Sequence, residues 1–388
     1  MGAVFIFYLC IEFLNSMSKK GKVLVAMSGG VDSSVAAMLL HEQGYEVVGI
    51  TMKTWDYETS GSTKKETGCC SLDSLQDARA IAVKAGFPHY ILDIRKEFGD
   101  YVIENFVNEY LAGRTPNPCV LCNTHIKWEA LMKRADMLDC EYIATGHYAR
   151  TRTENNRIII SRGKDLNKDQ SYVLWGLKQS FLKRTLFPVG EFTKEEIRKM
   201  AINFGFKELA VKSESYEICF IPDNDYRAFL NHRIPELPEK VKDGNFLYKG
   251  KVVGKHPGYP YFTVGQRKNL GIALGKPVFV KEIIPETNTV VLGDKEELDE
   301  NYLRIRDYNL IKYDELPENF RSVVKIRYKD TGTPAVVHPG TTRNTLDVFF
   351  EKPVQGIAPG QSAVLYEGDD VVGGGFIDRK NLSHSYTY

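Results

Sequence analysis

Along the first 215 residues, short continuous apolar runs alternate with stretches whose apolar positions recur every three to four residues. A short unbroken run suits a strand buried on both faces, and the 3.6-residue period suits an amphipathic helix. Residues 22–27 (KVLVAM), 45–52 (YEVVGITM), 89–93 (HYILD) and 140–145 (CEYIAT) predict strands. Between them the pattern predicts a helix stopping at Gly44, one over 71–85 stopping at Gly86, and others over 96–111 and 123–138. A further helix near 193–204 opens with Thr193 and Glu196 as a capping box and stops at Gly205. Strands alternating with helices predict an α/β fold, a doubly wound parallel sheet covered on both faces. Right-handed crossovers then bring the carboxyl ends of the strands to one edge, where ligands bind.

After about residue 215 the texture changes. From 245 onward Gly, Pro and short β-rich runs such as VVKIRY, LDVFF and SAVLY dominate, which predicts a small mixed connector and then a C-terminal β-barrel. The expected organisation is 1–20 a leader or start-site extension, 21–215 a phosphate-binding catalytic domain, 216–280 a central connector and 281–388 the barrel. Residues 2–14 are apolar apart from Glu12, lack a basic leader and a small-residue cleavage site, and are too short to span a bilayer. They read as an over-extended translation start, with Met17 the true beginning. No other segment is a membrane candidate.

The 388 residues balance 51 Lys+Arg against 50 Asp+Glu, which neither requires nor excludes a nucleic-acid partner. The balance is uneven: from Lys281 onward there are 13 basic and 18 acidic residues, so the first 280 carry +6. Any RNA is therefore attracted mostly by the front of the chain. The seven cysteines are Cys10, Cys69, Cys70, Cys119, Cys122, Cys140 and Cys219. An odd, unevenly spaced set in a long chain is no disulfide scaffold and points to a reducing cytoplasm, where clustered thiols mean metal or chemistry.

The first candidate site is SGGVDSS at 28–34, between a predicted strand and helix. Two glycines let successive N–H groups converge on an anion, the helix amino end adds its dipole, and Ser28, Ser33 and Ser34 add hydroxyls. The turn lacks both the lysine of a Walker loop and the GxGxxG spacing of a dinucleotide turn. Asp32, misplaced for a plain anion nest, suits Mg²⁺ on the phosphates. The competing reading is a serine-rich helix cap. This stretch resembles the signature of the PP-loop ATP pyrophosphatases, which cleave ATP between the α- and β-phosphates and adenylate an oxygen of a second substrate.

The second candidate is CxxC at Cys119 and Cys122, in TPNPCVLCN, with Cys219 far downstream in ESYEICFIPDND. An amide-like carbonyl is a poor electrophile. Adenylating its oxygen creates a leaving group that sulfur can displace, one cysteine bringing sulfur as a persulfide and another resolving the adduct. Cys122 is expected just before a helix start with Lys127 nearby, a setting that favours thiolate, on a loop stiffened by Pro116 and Pro118. Two metal readings compete. Structural zinc lacks a second CxxC, whereas Cys119, Cys122 and Cys219 together suit an iron–sulfur cluster with one open iron.

SGGVDSSVAA, GRTPNPCVLCN, ATGHYAR, KDQSYVL, ICFIPDNDYRAFL and YFTVGQRKNLGI together are similar to the tRNA-specific 2-thiouridylase family, from about Lys22 to about Asp378. The resemblance implies an adenine-nucleotide α-hydrolase-like fold and ATP-dependent conversion of C2 of the wobble uridine to a thiocarbonyl, in tRNAs for Lys, Glu and Gln. It implies Cys122 as nucleophile and Cys219 as persulfide carrier, fed by a cysteine desulfurase or relay protein. It assigns ATP contacts to Ala26, Met27, Ser28, Gly29, Gly30, Val31, Asp32, Ser33, Met52 and Gly146. Asn117, Pro118 and Cys119 match the segment that meets the target base. His147, Lys168, Asp169, Gln170, Arg327, Tyr328 and Gln361 match tRNA contacts. Cys119 departs from the pattern, since many members carry Asp there with a proton-transfer role. A thiol at that place acts similarly if ionised, pairs with Cys122, or ligates a metal. His147, at a strand's carboxyl end, is expected at the site, with a satisfied core histidine as the alternative. Lys325, Arg327 and Lys329 alternate, and read either as a phosphate-tracking stripe or as a solvated face.

Overall fold

Val23, Leu24 and Val25 are completely buried, and that unbroken run makes β1 (Lys22–Ala26) the centre of a five-stranded parallel sheet. A computed structural model describes residues 20–56, 71–212, 218–221 and 224–378. The expected leader up to residue 19, Cys10, Cys69 and Cys70 lie outside the described residues. On one side of β1 lie β2 (Glu46–Lys53) and then β3 (His89–Asp93). On the other lie β4 (Tyr142–Ala144) and, after a hairpin of β5 (Ala149–Glu154) and β6 (Arg157–Arg162) that leaves the sheet, β7 (Thr185–Leu186). The order β3-β2-β1-β4-β7 reverses direction between β1 and β4. That switch point is where a doubly wound sheet opens a crevice at its carboxyl edge.

The first domain's main helices are α1 (Val31–Glu42), α2 (Leu72–Ala85), α3, α4 and α5 (Lys194–Asn203). Helix α3 joins Arg95–Phe98, a π-helical turn Gly99–Ile103 and Glu104–Leu111, and α4 joins Pro118–Leu121, a π-helical turn Cys122–Lys127 and Trp128–Met137. Val23 and Val25 share a core with Val35 and Ala36 of α1 and Ile197 and Ala201 of α5. Leu24 points the other way, into a core with Val120, Trp128 and Leu131 of α4. Each valine, leucine and isoleucine among them contributes about 1.5–3 kcal/mol on burial. The caps follow the sequence: Gly86 ends α2 at φ +80°, and Thr193 and Glu196 close a capping box on α5. Helix α4 corrects one expectation. It starts at Pro118, whose fixed φ suits a first helical position, so Cys122 lies inside the helix rather than ahead of it.

The middle of the chain begins with α6 (Tyr226–Arg233), capped by the Asp225 carboxylate. It continues as a four-stranded sheet, β10-β11-β8-β9, of β8 (Gly244–Tyr248), β9 (Lys251–His256), β10 (Phe279–Ile284) and β11 (Thr289–Gly293). The break expected between 280 and 281 falls inside β10, because neighbouring β-rich segments carry no mark of which sheet they join. Phe246, Val280 and Leu292 of this sheet share one core with Phe98 and Phe106 of α3 and with Cys122.

The last domain contains β12 (Asp299–Leu310), β13 (Phe320–Lys325), β14 (Thr333–Pro339), β15 (Thr345–Gln355), β16 (Ser362–Glu367) and β17 (Asp370–Ile377). Pairing of β12 with β17 closes the order β12-β15-β14-β13-β16-β17 into a six-stranded barrel. The β5–β6 hairpin abuts it at Ser161 and Asp370. Of the two readings of Lys325, Arg327 and Lys329, a stripe along one strand face does not form. Strand β13 ends at Lys325, whose side chain is buried, and Arg327 and Lys329 lie exposed in the turn beyond. Alternation places residues on one face only while the chain stays extended.

Candidate active site

The turn between β1 and α1 is built from its own serines. The Ser28 N–H donates to Ser33 Oγ at 3.0 Å, the two hydroxyls lie 3.2 Å apart, and the Ser34 hydroxyl donates to the Gly30 carbonyl at 2.8 Å. Gly29 has φ +69°, and a Cβ there would stand 2.1 Å from the Ser74 carbonyl oxygen of α2, so only glycine fits. Gly30 caps α1 without a side-chain bond, which leaves the first N–H groups of that helix for an anion. Ser28 is exposed, while Val31 and Met27 anchor the turn in the core. The Met27 carbonyl accepts the Thr51 hydroxyl at 2.7 Å. Gly146, just after β4, lies against the turn: a Cβ there would be 2.7 Å from Ser33 N. Residues 26–33 and Gly146 therefore meet at the switch point. Met52, near the carboxyl end of β2, packs against the core that contains Cys122.

Asp32 is not open in the way its place in the turn implied. Lys194 Nζ lies 2.8 Å from both of its oxygens, and the Tyr148 hydroxyl donates to Oδ1 at 2.6 Å. Lys194 is 8% exposed. In the sequence it is merely the first residue after a capping threonine, 162 positions from Asp32, and no local signal marks it.

Cys119 and Cys219 are exposed, and Cys122 is 5% exposed. The residue after Cys219, Phe220, is buried with Cys122 in one core, edge-on to Phe98 at 5.7 Å and Phe106 at 5.2 Å. The structure thus gathers the two cysteine segments on one cluster. Loss of hydration around the Cys119 sulfur pushes the thiol upward, with Lys127 pulling the other way. Crowding, and then the same Lys127, depress the His147 imidazole to about 3, so the ring is neutral at ordinary pH. His147 meets Thr145 Oγ1 at 2.8 Å through Nδ1 and lies against Trp128 and Phe187. The charge of Lys127 thus acts on both Cys119 and His147.

Several residues matched to RNA contact spend their polar groups on the protein. Gln361 Nε2 donates to the carbonyls of Pro116 at 2.8 Å and Thr115 at 3.3 Å, and the Thr115 N–H donates to the Pro359 carbonyl at 2.7 Å. Asn117 Nδ2 reaches Ser362 Oγ at 3.4 Å, and Pro118 is buried. The barrel thereby holds the loop that leads into α4. Asp169 is buried and accepts from the N–H groups of Gly163 and Ser171 and from the Ser171 hydroxyl. Gln170 Oε1 accepts the Tyr148 N–H at 3.0 Å, and Lys168 is half-buried. Arg327 is exposed and donates to the Gln355 carbonyl at 2.7 Å. Tyr328, also exposed, meets the ring of the buried Tyr172 at 6.2 Å, two residues after Gln170.

Among the described residues no group of three or more His, Cys, Asp or Glu side chains is placed to hold a metal ion. Cys122 sits in an apolar core while Cys119 and Cys219 face solvent. As arranged, these thiols do not fit the ligand set of a three-cysteine iron–sulfur cluster.

Three domain families match the chain: the tRNA methyl transferase HUP domain over residues 21–223, the tRNA methyl transferase PRC-barrel domain over 227–294, and the aminomethyltransferase beta-barrel domain over 300–377. A protein of Amoebophilus asiaticus named tRNA-specific 2-thiouridylase MnmA is 65% identical over 361 residues, 92% of this chain and 96% of that protein. Proteins of the same name from Cytophaga hutchinsonii and Salinibacter ruber are 61% and 59% identical. The first covers 93% of this chain and 98% of that protein, the second 93% and 95%. With identity this high over nearly the full length of both partners, the chain belongs to the tRNA-specific 2-thiouridylase family.

Proposed function

We propose that this enzyme thiolates C2 of the wobble uridine in tRNAs for Lys, Glu and Gln, using ATP to activate the oxygen and its own cysteines to deliver sulfur. The observation that carries the reading is the shared core. Cys122 and the segment of Cys219 meet on one cluster, and Met52 from the nucleotide edge packs on the same cluster. ATP binds at 26–33, Met52 and Gly146, with Mg²⁺ arriving as part of the nucleotide substrate. The base leaves its stack to reach this edge and lies against Asn117, Pro118 and Cys119, beside His147.

Uridine O2 attacks the α-phosphorus and pyrophosphate leaves. The terminal sulfur of the Cys219 persulfide attacks C2 and AMP leaves. The Cys122 thiolate then attacks the Cys219 sulfur, forming a Cys122–Cys219 disulfide and releasing the 2-thiouridine; an external thiol reductant reopens the disulfide. Cys119, held protonated by its surroundings, serves as a hydrogen donor at the base. His147, Lys168, Asp169, Gln170, Arg327, Tyr328 and Gln361 form or shape the tRNA rim. The sulfur comes from a persulfide donor such as a cysteine desulfurase. Seven unevenly spaced cysteines suit the reducing cytoplasm, and no helix among the described residues is long and apolar enough to cross a membrane.

The test is to mix protein, ATP, a persulfide source and bulk tRNA, then analyse nucleosides by mass spectrometry. 2-Thiouridine derivatives are expected, lost in Cys122→Ser and Cys219→Ser while ATP still binds. Normal thiolation by either variant removes the sulfur roles. Methylated nucleosides in place of thiolated ones would favour the chemistry in the domain-family descriptions instead.

A further inference from the structure

We infer that Lys194 is the phosphate-binding cation of the ATP turn, held ready by Asp32; the inference rests on the ATP reading above. The turn by itself is electrostatically incomplete. A triphosphate brings several negative charges, yet residues 28–33 offer N–H groups, hydroxyls and the Asp32 carboxylate, which repels phosphate. The amino end of α1 supplies only about half a positive charge. Walker-type turns carry their lysine within the loop, and this turn has none.

The tertiary structure supplies one from α5. Lys194 Nζ lies 2.8 Å from each Asp32 oxygen, with 10% of the lysine side chain and 31% of the aspartate side chain exposed. The ammonium is thus buried against the turn, while its aspartate partner stays partly open to solvent. Its mount is rigid: the Lys194 N–H donates to Asp165 Oδ2 at 3.0 Å, Thr193 and Glu196 cap the helix, and Ile197 is completely buried. Lys212, near Ser74 on the other flank, is held by Asp77 in a more exposed pair.

Stability alone is a poor reason for the Asp32–Lys194 pair, because a buried ion pair loses about as much in desolvation as it gains in attraction. Its position supplies a better one. In the empty site Asp32 neutralises and aims the ammonium, and when nucleotide arrives the ammonium turns to the phosphate oxygens. Asp32 is thereby freed to face the cation that accompanies the nucleotide.

The experiment is calorimetric binding of Mg·ATP, inorganic pyrophosphate and adenosine to the full-length protein. Lys194→Met should weaken ATP and pyrophosphate roughly 10- to 100-fold, the size of one lost charge-assisted hydrogen bond. Adenosine affinity should stay within about twofold and Lys194→Arg within a few-fold, since neither change removes a phosphate contact of this strength. Lys194→Met leaves Asp32 without its cation, holding only the Tyr148 hydroxyl, and is at risk of misfolding, so Asp32→Asn is compared with Asp32→Asn/Lys194→Met, in which no uncompensated carboxylate remains. A further loss of about tenfold or more in pyrophosphate affinity is expected on adding the second change. No further loss there, or ATP affinity near wild type in folded Lys194→Met, overturns the inference and leaves Lys194 a structural clamp. Wild-type protein that binds neither ATP nor pyrophosphate fails the ATP reading itself.

Discussion

Gly146→Ala is the most direct probe of how the sheet edge shapes the nucleotide turn. A Cβ on Gly146 would stand 2.7 Å from Ser33 N, and 2.9 Å from both Asp32 C and Ser33 Cα. Ordinary contact begins at 3.4 Å, so the amino end of α1 must retreat by the difference, about 0.5–0.7 Å. All three atoms are backbone and no side chain can swing away. Gly146 is not among the residues with positive φ, so the effect is steric and not conformational. Overpacking of this kind costs about 1–3 kcal/mol. Part of that strain lowers stability, by a few degrees in melting temperature. The rest misaligns N–H donors that must converge on phosphate, so ATP affinity should fall roughly 10- to 100-fold. Calorimetric titration with ATP reads the effect, and tRNA retention on a filter should be unchanged. Gly254→Ala is the control, because its Cβ would meet nothing nearer than 3.7 Å. Wild-type ATP affinity in a folded Gly146→Ala protein would show that the turn is not held against the chain after β4.

Three further outcomes follow from the same geometry. Gln361→Ala removes the amide that donates to the Thr115 and Pro116 carbonyls; thiolation should slow several-fold as the loop before Cys119 loosens, at about 1 kcal/mol per lost bond, with ATP binding intact. Asp370 gathers Arg152, Ser161 and Lys312 where the hairpin meets the barrel, and these partners hold its carboxyl well below the usual carboxylate range. Its folded value is depressed, so its contribution is full above about pH 4 and is lost as pH falls below that. Asp370→Asn should therefore lower urea stability by about 2–4 kcal/mol at pH 7, and the gap to wild type should narrow in acid; an equal gap at pH 7 and pH 3 would contradict the assignment. The His147 ring, depressed to about 3, should show no imidazole titration by NMR between pH 5 and 8, and a midpoint near 6.5 would place it in solvent instead.

What the chain's order alone determined is whatever depends on neighbours in sequence. The buried run at Val23–Val25, the glycines of the phosphate turn, the stop at Gly86 and the Thr193–Glu196 cap are local demands of backbone geometry, and each appears where the pattern placed it. The residues of the family motifs were equally readable. Contacts between distant segments were not. Pairing of Asp32 with Lys194 and Tyr148 spans more than a hundred residues and depends on α5 packing beside α1. The start of α4 at Pro118 was missed because its prolines also suit a loop. The choice between a basic stripe and a solvated face was settled by where β13 ends, at Lys325, and the sheet to which β10 belongs was decided by its partner β11. Gln361 and Asp169 carry ordinary polar side chains whose partners lie on other loops. Periodicity fixes which face of an element is apolar, whereas burial and charge pairing are set by what that face meets, and only the packed structure decides that.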